Sequence, residues 1–186
     1  MQQVLGEAAN FARDIIAPLN IPADRAGCRV AGQQVEIAEG FSEVYRQFVD
    51  NGWPSLSGAP AFGGMGFPHT VGLAAFEMWN SASMAFALCP MLTGGAAGTV
   101  AAHASDDLKG IYLPKLISGE WSGTMVLTEP QAGSDLAALT TKAIREGDRF
   151  RLFGNKIFIT WYRRLHKISN GRCSLPISRS KFSSVC

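Results

Sequence analysis

Apolar residues near the start of the chain recur at the spacing of a helix. Val4, Leu5, Ala8, Phe11, Ala12, Ile15 and Ile16 share one face, and Pro18, with no amide to donate, predicts the end of that run. A second amphipathic helix is expected over about 33–50, with Ala38, Phe41, Val44, Tyr45, Phe48 and Val49 on its apolar side. Asn51-Gly52 supplies a stop, followed by Pro54. Residues 53–68 read as a loop rich in glycine and proline that contains the run AFGGMGFP. A third helix begins near Thr70 and carries Leu73, Phe76, Trp79, Met84 and Phe86 until Cys89-Pro90 interrupts it. Residues 91–104 are rich in Ala and Gly, small enough to let another backbone approach closely. Ser105 is an expected N-cap, with Asp106 and Asp107 in the first turn, where the helix dipole favours acids. Leu108, Ile111, Tyr112, Leu116 and Ile117 continue that helix and Gly119 closes it.

After Gly119 the period changes. Residues 124–128 read as a strand, and 139–145 with 149–153 as a hairpin turning at Glu146-Gly147-Asp148. Gly154-Asn155 is a further turn, and 156–160 is a third run rich in β-branched and aromatic residues. The expected class is α+β, mostly α: a helical domain over 1–119, then an incomplete β domain over 120–160. Three short strands neither close a barrel nor build a two-sheet core.

The chain has 186 residues, 47% of them apolar and 17% charged, a balance typical of a soluble globular protein. No run of about 18 uninterrupted apolar residues predicts a membrane span. The first residues lack a basic start followed by an apolar stretch, so no secretory signal is expected and the default location is cytoplasmic. Cys28, Cys89, Cys173 and Cys186 show no CxxC spacing and are expected as free thiols. His69, His103 and His166 are scattered, and no metal site is expected. The net charge of +2 conceals an asymmetry: residues 161–186 hold Arg163, Arg164, Lys167, Arg172, Arg179 and Lys181 and no acid.

The stretch that carries chemistry is Met125 to Asp135, MVLTEPQAGSD. A strand ending in a loop with Thr128, Ser134 and backbone amides can offer donors to a phosphate or to an electron-rich ring edge. It can equally be a turn in which Ser134 caps the short piece SDLAAL. The pattern alone leaves both readings open. LTEPQAGSD, however, resembles the TEP-x-AGSD segment of the acyl-CoA dehydrogenase family, and three other stretches fall in that family's order. AFGGMGFP is similar to its early glycine-rich turn, LKGIYLPKLISGEW to its YLPKL-x-SGE segment, and GDRFRLFGNKIFIT to its hairpin ending in NG-x-K-x-WIT. Four ordered matches over about 100 residues are far more specific than one short motif. Within the family, the loop and hairpin are most similar to the large bacterial branch that includes 3-methylmercaptopropionyl-CoA dehydrogenase.

The resemblance implies an N-terminal helical domain, a middle β domain and a C-terminal helical domain, with FAD between the last two and an assembly into homo-oligomers. It implies α,β-dehydrogenation of an acyl-CoA thioester to a trans-2-enoyl-CoA, with electrons passed on to an acceptor such as electron-transfer flavoprotein. It places Thr128 near the flavin edge that gains negative charge, Thr160 near N5, and Ser134 at the FAD pyrophosphate and beside the acyl-CoA. Met125, Val126, Leu127 and Gly133 line the flavin mainly through backbone, and Ile159 lies between Phe158 and Thr160. Phe158 stands where tryptophan is commoner, keeping an aromatic ring without the indole N–H. The family's catalytic base comes from a C-terminal part that no segment here matches. Glu129 belongs to the loop, His103 has no partner, and no catalytic residue is assigned in this chain.

The motif pattern ends at Thr160, where a glycine-rich continuation would be expected. The basic, serine-rich run 161–186 reads best as the product of a frameshift or premature stop. A genuine tail for RNA or anionic lipid and a cryptic folded element are the alternatives. The chain by itself is expected to bind FAD weakly or not at all and to be inactive. The competing function is a non-catalytic helical interaction module derived from the same fold; neither nucleic acid nor membrane is an expected partner.

Overall fold

The computed structural model describes residues 1–31, 34–147 and 149–160. The chain is mostly helical, with two small antiparallel pairs of strands. Helix α1 (Gln2–Asn10) passes without a break into a π-helical turn, Phe11–Ile16, and then into α2 (Ala17–Ala26). The expected stop at Pro18 therefore does not occur. The Ala17 amide donates to the Ala12 carbonyl five residues back, and this wider turn brings the chain to Pro18 in the first turn of α2, where a missing amide is tolerated. Ala8, Phe11, Ala12 and Ile16 stay on one buried face. Gly27, at φ 64°, ends the run.

The second helix is shorter than its pattern suggested. Residues 34–40 are not helical: β1 (Arg29–Ala31) and β2 (Gln34–Glu36) pair antiparallel, with Val30 opposite Val35. Helix α3 (Phe41–Asp50) starts only after Gly40, whose φ of 90° favours glycine and whose missing side chain leaves room for Leu19. Phe41, Val44 and Phe48 form its buried stripe, and Gly52 follows it at φ 75°.

The loop after α3 folds back on itself. The amides of Met65, Gly66 and Phe67 donate to the carbonyls of Ser55, Gly58 and Leu56 at 2.8, 3.0 and 3.0 Å. A side chain at Gly64 would sit 2.0 Å from the Gly58 carbonyl group, so the glycines of AFGGMGFP serve a close backbone approach.

Helix α4 (His69–Ala82) and α5 (Met84–His103) are separated at Ser83, not at Cys89-Pro90. Ser83 is extended, and its hydroxyl accepts from the Phe86 amide at 3.4 Å, capping α5. Pro90 lies inside α5, which continues without the amide that would have bonded the Phe86 carbonyl. By length and composition α5 could cross a membrane; it packs instead on α4 and on α6 (Asp106–Ser118). Helix α6 begins as its sequence promised, with the Ser105 hydroxyl accepting from the Leu108 amide, and ends at Gly119 at φ 80°.

One core joins α1, the π turn, α3, α4 and the start of α5 around Phe48, whose ring lies 4.8 Å from Trp79, 5.6 Å from Phe86 and 6.1 Å from Phe11. A second core gathers Val100, Leu113, Leu116 and Ile117 where α5 meets α6.

Beyond Gly119, β3 (Lys142–Glu146) and β4 (Arg149–Phe153) form the expected hairpin, with Ile144 opposite Arg151. The strands expected at 124–128 and 156–160 do not form. Isolated hydrogen bonds join these two stretches, as described below, in place of a ladder. Cys28 is exposed and Cys89 buried, with no disulfide between them. The basic run 161–186, with Cys173, Cys186 and His166, lies outside the described residues.

Candidate functional site

The loop that carries MVLTEPQAGSD starts from a fixed point on α5. The Gly123 amide donates to the Thr93 hydroxyl at 3.1 Å, and that hydroxyl donates to the Cys89 carbonyl at 2.8 Å. A side chain at Gly123 would come within 2.4 Å of Ala96 Cβ. Of the small residues of 91–104, then, Ala96 receives a close backbone. Gly94, Gly95 and Gly98 have no such neighbour among the described residues.

From there the side chains alternate. Met125 and Leu127 are exposed, while Val126 and Thr128 are half-buried. A tight turn follows: the Glu129 amide donates to the Ala132 carbonyl at 3.1 Å and the Ala132 amide to the Glu129 carbonyl at 3.0 Å, with Pro130 and Gln131 at the corner. Gly133 and Ser134 are exposed just beyond it. The short helical turn Leu136–Ala138 is capped by Asp135, which accepts from the Ala137 amide at 3.1 Å, so the capping role considered for Ser134 falls to its neighbour.

Glu129 is only 1% exposed, which would be untenable for a carboxylate without partners. Its Oε1 accepts from Lys156 Nζ at 2.7 Å and the Thr141 amide at 3.0 Å. Its Oε2 accepts from the Thr140 amide at 2.8 Å, the Thr140 hydroxyl at 2.9 Å and Gln131 Nε2 at 2.7 Å. The Lys156 ammonium, followed by the Thr141 and Thr140 donors, holds this carboxyl well below the usual carboxylate range.

The same lysine brings the second stretch in. Lys156 Nζ also donates to the Leu127 carbonyl at 2.8 Å, and the Ile157 amide donates to the Thr128 carbonyl at 3.0 Å. The Thr124 hydroxyl donates to the Thr160 carbonyl. Residues 124–129 and 156–160 therefore lie side by side. Phe158 is 85% exposed and sits at φ 54°, a left-handed conformation that is unfavourable for an aromatic residue. Ile159 is half-buried and Thr160 exposed.

The two adjacent stretches carry the exposed apolar side chains of Met125, Leu127 and Phe158 and the exposed Thr160, with Thr128 half-buried; Ser134 is exposed past the turn. Exposed apolar side chains next to hydroxyls can serve a flat ligand with an apolar face and a polar rim. Glu129 cannot serve as a proton acceptor there, because five donors already engage its two oxygens. Lys156, Gln131, Thr140, Thr141 and Thr93 were not singled out from the sequence. Glu129 and Lys156 are 27 positions apart with a hairpin between them, and no local period connects them.

A helical unit, the loop anchored on it and the hairpin after the loop define a mostly helical α+β fold. Residues 2–120 match the family model described as acyl-CoA dehydrogenase, N-terminal domain, and the chain belongs to the acyl-CoA dehydrogenase family. It is 46% identical over 177 residues to 3-methylmercaptopropionyl-CoA dehydrogenase of Ruegeria pomeroyi, a match covering 95% of this chain and 30% of that protein. That match runs past Thr160 into 161–186, further than the motifs do. Butyryl-CoA dehydrogenase of Syntrophomonas wolfei is 38% identical over 154 residues, 80% of this chain and 25% of that protein. A solved glutaryl-coenzyme A dehydrogenase in complex with glutaryl-CoA superposes with a TM-score of 0.72 at 26% identity, covering 85% of this chain and 38% of that one. The chain thus spans about a third or less of the length of the two curated relatives.

Proposed function

We propose that this chain supplies the N-terminal helical domain and part of the flavin surface of an FAD-dependent dehydrogenase that converts an acyl-CoA thioester to its trans-2-enoyl-CoA. The observation that carries this reading is the juxtaposition of the loop 124–129 with 156–160, through Ile157 on Thr128 and Lys156 on Leu127. Thr128 and Thr160 are assigned to the flavin rim and Ser134 to the pyrophosphate and thioester, while Phe158 projects an exposed ring from its left-handed backbone. Met125, Val126, Leu127, Gly133 and Ile159 complete the surface. FAD, when bound, supplies the hydride acceptor for the acyl chain. In the complete enzyme, electron-transfer flavoprotein is the expected acceptor, a homo-oligomer the expected assembly and the cytoplasm the expected location.

The general base comes from outside residues 120–160. Among the described residues there, Glu120 is paired with Lys115 at 2.7 Å, Glu146 with Arg151 at 2.9 Å, Asp135 caps a turn and Glu129 is saturated. The 186-residue chain alone is expected to be inactive and to hold FAD weakly or not at all.

The test fuses residues 1–160 to the remaining part of the 3-methylmercaptopropionyl-CoA dehydrogenase relative. The fusion is expected to purify with flavin and to oxidise an acyl-CoA, and Thr128→Val is expected to weaken both. A folded fusion without flavin, or turnover by the 186-residue chain on its own, would overturn the reading.

A further inference from the structure

Lys156 is not one of the residues placed against cofactor or substrate, yet it grips the segment that is. Its ammonium, on a side chain 19% exposed, donates to the Leu127 carbonyl and to Glu129 Oε1. These acceptors flank Thr128, whose own carbonyl takes the next amide along, that of Ile157. Two consecutive residues therefore hold three consecutive residues of the loop. Glu129 extends the grip to the other side through Thr140, Thr141 and Gln131.

Every donor and acceptor in this set is a protein group. Charge-assisted bonds from an ammonium to a carbonyl and a carboxylate are among the stronger ones available to a chain. A surface ordered in advance also spares a ligand the cost of ordering it. We infer that Lys156 is a positioning residue, which assembles the loop 125–134 against 156–160 in the flavin-free chain, so that the cofactor meets a surface already formed. The inference rests on the flavin reading above for its purpose, but not for its geometry.

Amide exchange on the 186-residue chain without flavin tests it. The Thr140, Thr141 and Ile157 amides are expected to be protected. Lys156→Met should lower that protection about tenfold or more, with α3 and α6 amides unchanged. Lys156→Arg, which keeps a cation with several donors, should recover part of it. Should Lys156→Met disturb the helices, Lys156→Gln, which removes the charge but keeps a donor, gives the same readout. The inference is overturned if those amides exchange freely in the parent, or if Lys156→Met or Lys156→Gln, with the helices intact, leaves them as protected as before. The fusion described above separates the two ideas. The protection pattern in the 186-residue chain, together with flavin bound by the fusion, supports both. The same pattern with a folded fusion that purifies without flavin upholds the role of Lys156 in assembly and counts against the flavin reading.

Discussion

The Gly123 amide donates to the Thr93 hydroxyl across 3.1 Å, tying the first residues after the helical unit to the middle of α5. The bond needs the two backbones close together, and only glycine at 123 allows this beside Ala96. Gly123→Ala is therefore expected to destabilise the chain by about 1–3 kcal/mol through overpacking. Ala96→Gly in the same chain should restore much of the loss. A double-mutant cycle by urea denaturation checks this; additive effects would contradict the contact.

The aromatic cluster makes a second prediction. Phe48 is 1% exposed and meets Phe11, Trp79 and Phe86. Phe48→Ala should cost about 3–5 kcal/mol, part of it for the cavity left behind. Urea unfolding followed by tryptophan fluorescence reads the loss through Trp53 and Trp79. An effect as small as that of a surface substitution would show that the core is packed differently.

Glu129 sets a pH dependence whose sign follows from its depressed carboxyl. A carboxylate held below its unfolded value contributes stability that is fully present above that value and is lost as pH falls through the folded one. The contact between Glu129 and Lys156 should thus stay intact as pH drops past the ordinary glutamate value of about 4.3, and open only in stronger acid. The Thr141 amide resonance reports this: it should remain flat through that range. A midpoint near the ordinary value would mean that Lys156 is not its partner.

Phe158 combines an exposed ring with a left-handed backbone. Phe158→Gly should leave stability unchanged or raise it by about 1 kcal/mol, since glycine removes the steric conflict and little burial is lost. In the flavin-binding fusion the same substitution should lower flavin retention. Thermal unfolding and flavin absorbance together separate the two effects, and a large loss of stability would show that the ring is packed after all.

Much of the fold was legible in the chain because local signals and burial agree. Ser105 with its two aspartates, Gly119, Asn51-Gly52 and the hairpin at Gly147 all fall where the pattern put them. The failures share one cause, which is that tertiary packing overrode a local preference. Pro18 and Pro90 read as breakers, but the π turn absorbed the first and α5 simply continued through the second. Residues 33–40 have apolar positions that fit a helix, yet Val35 pairs across a hairpin and Gly40 bends the chain. In the candidate site, the motif residues were recognisable as words, and Glu129, given no catalytic role, is engaged by five donors. What the words did not reveal was Lys156 as the link between them, because that contact spans a hairpin and has no signature in spacing.

The break at Ser83 bears on the size of the whole molecule. Run together, α4 and α5 would make a continuous rod of residues 69–103, about 50 Å long, against the roughly 30 Å diameter of a small domain. One extended serine, 1% exposed and closing its hydroxyl on the Phe86 amide, keeps both helices within that diameter. One residue thus serves as the whole connection between the two helices, and Thr93, which receives Gly123, lies on the second of them.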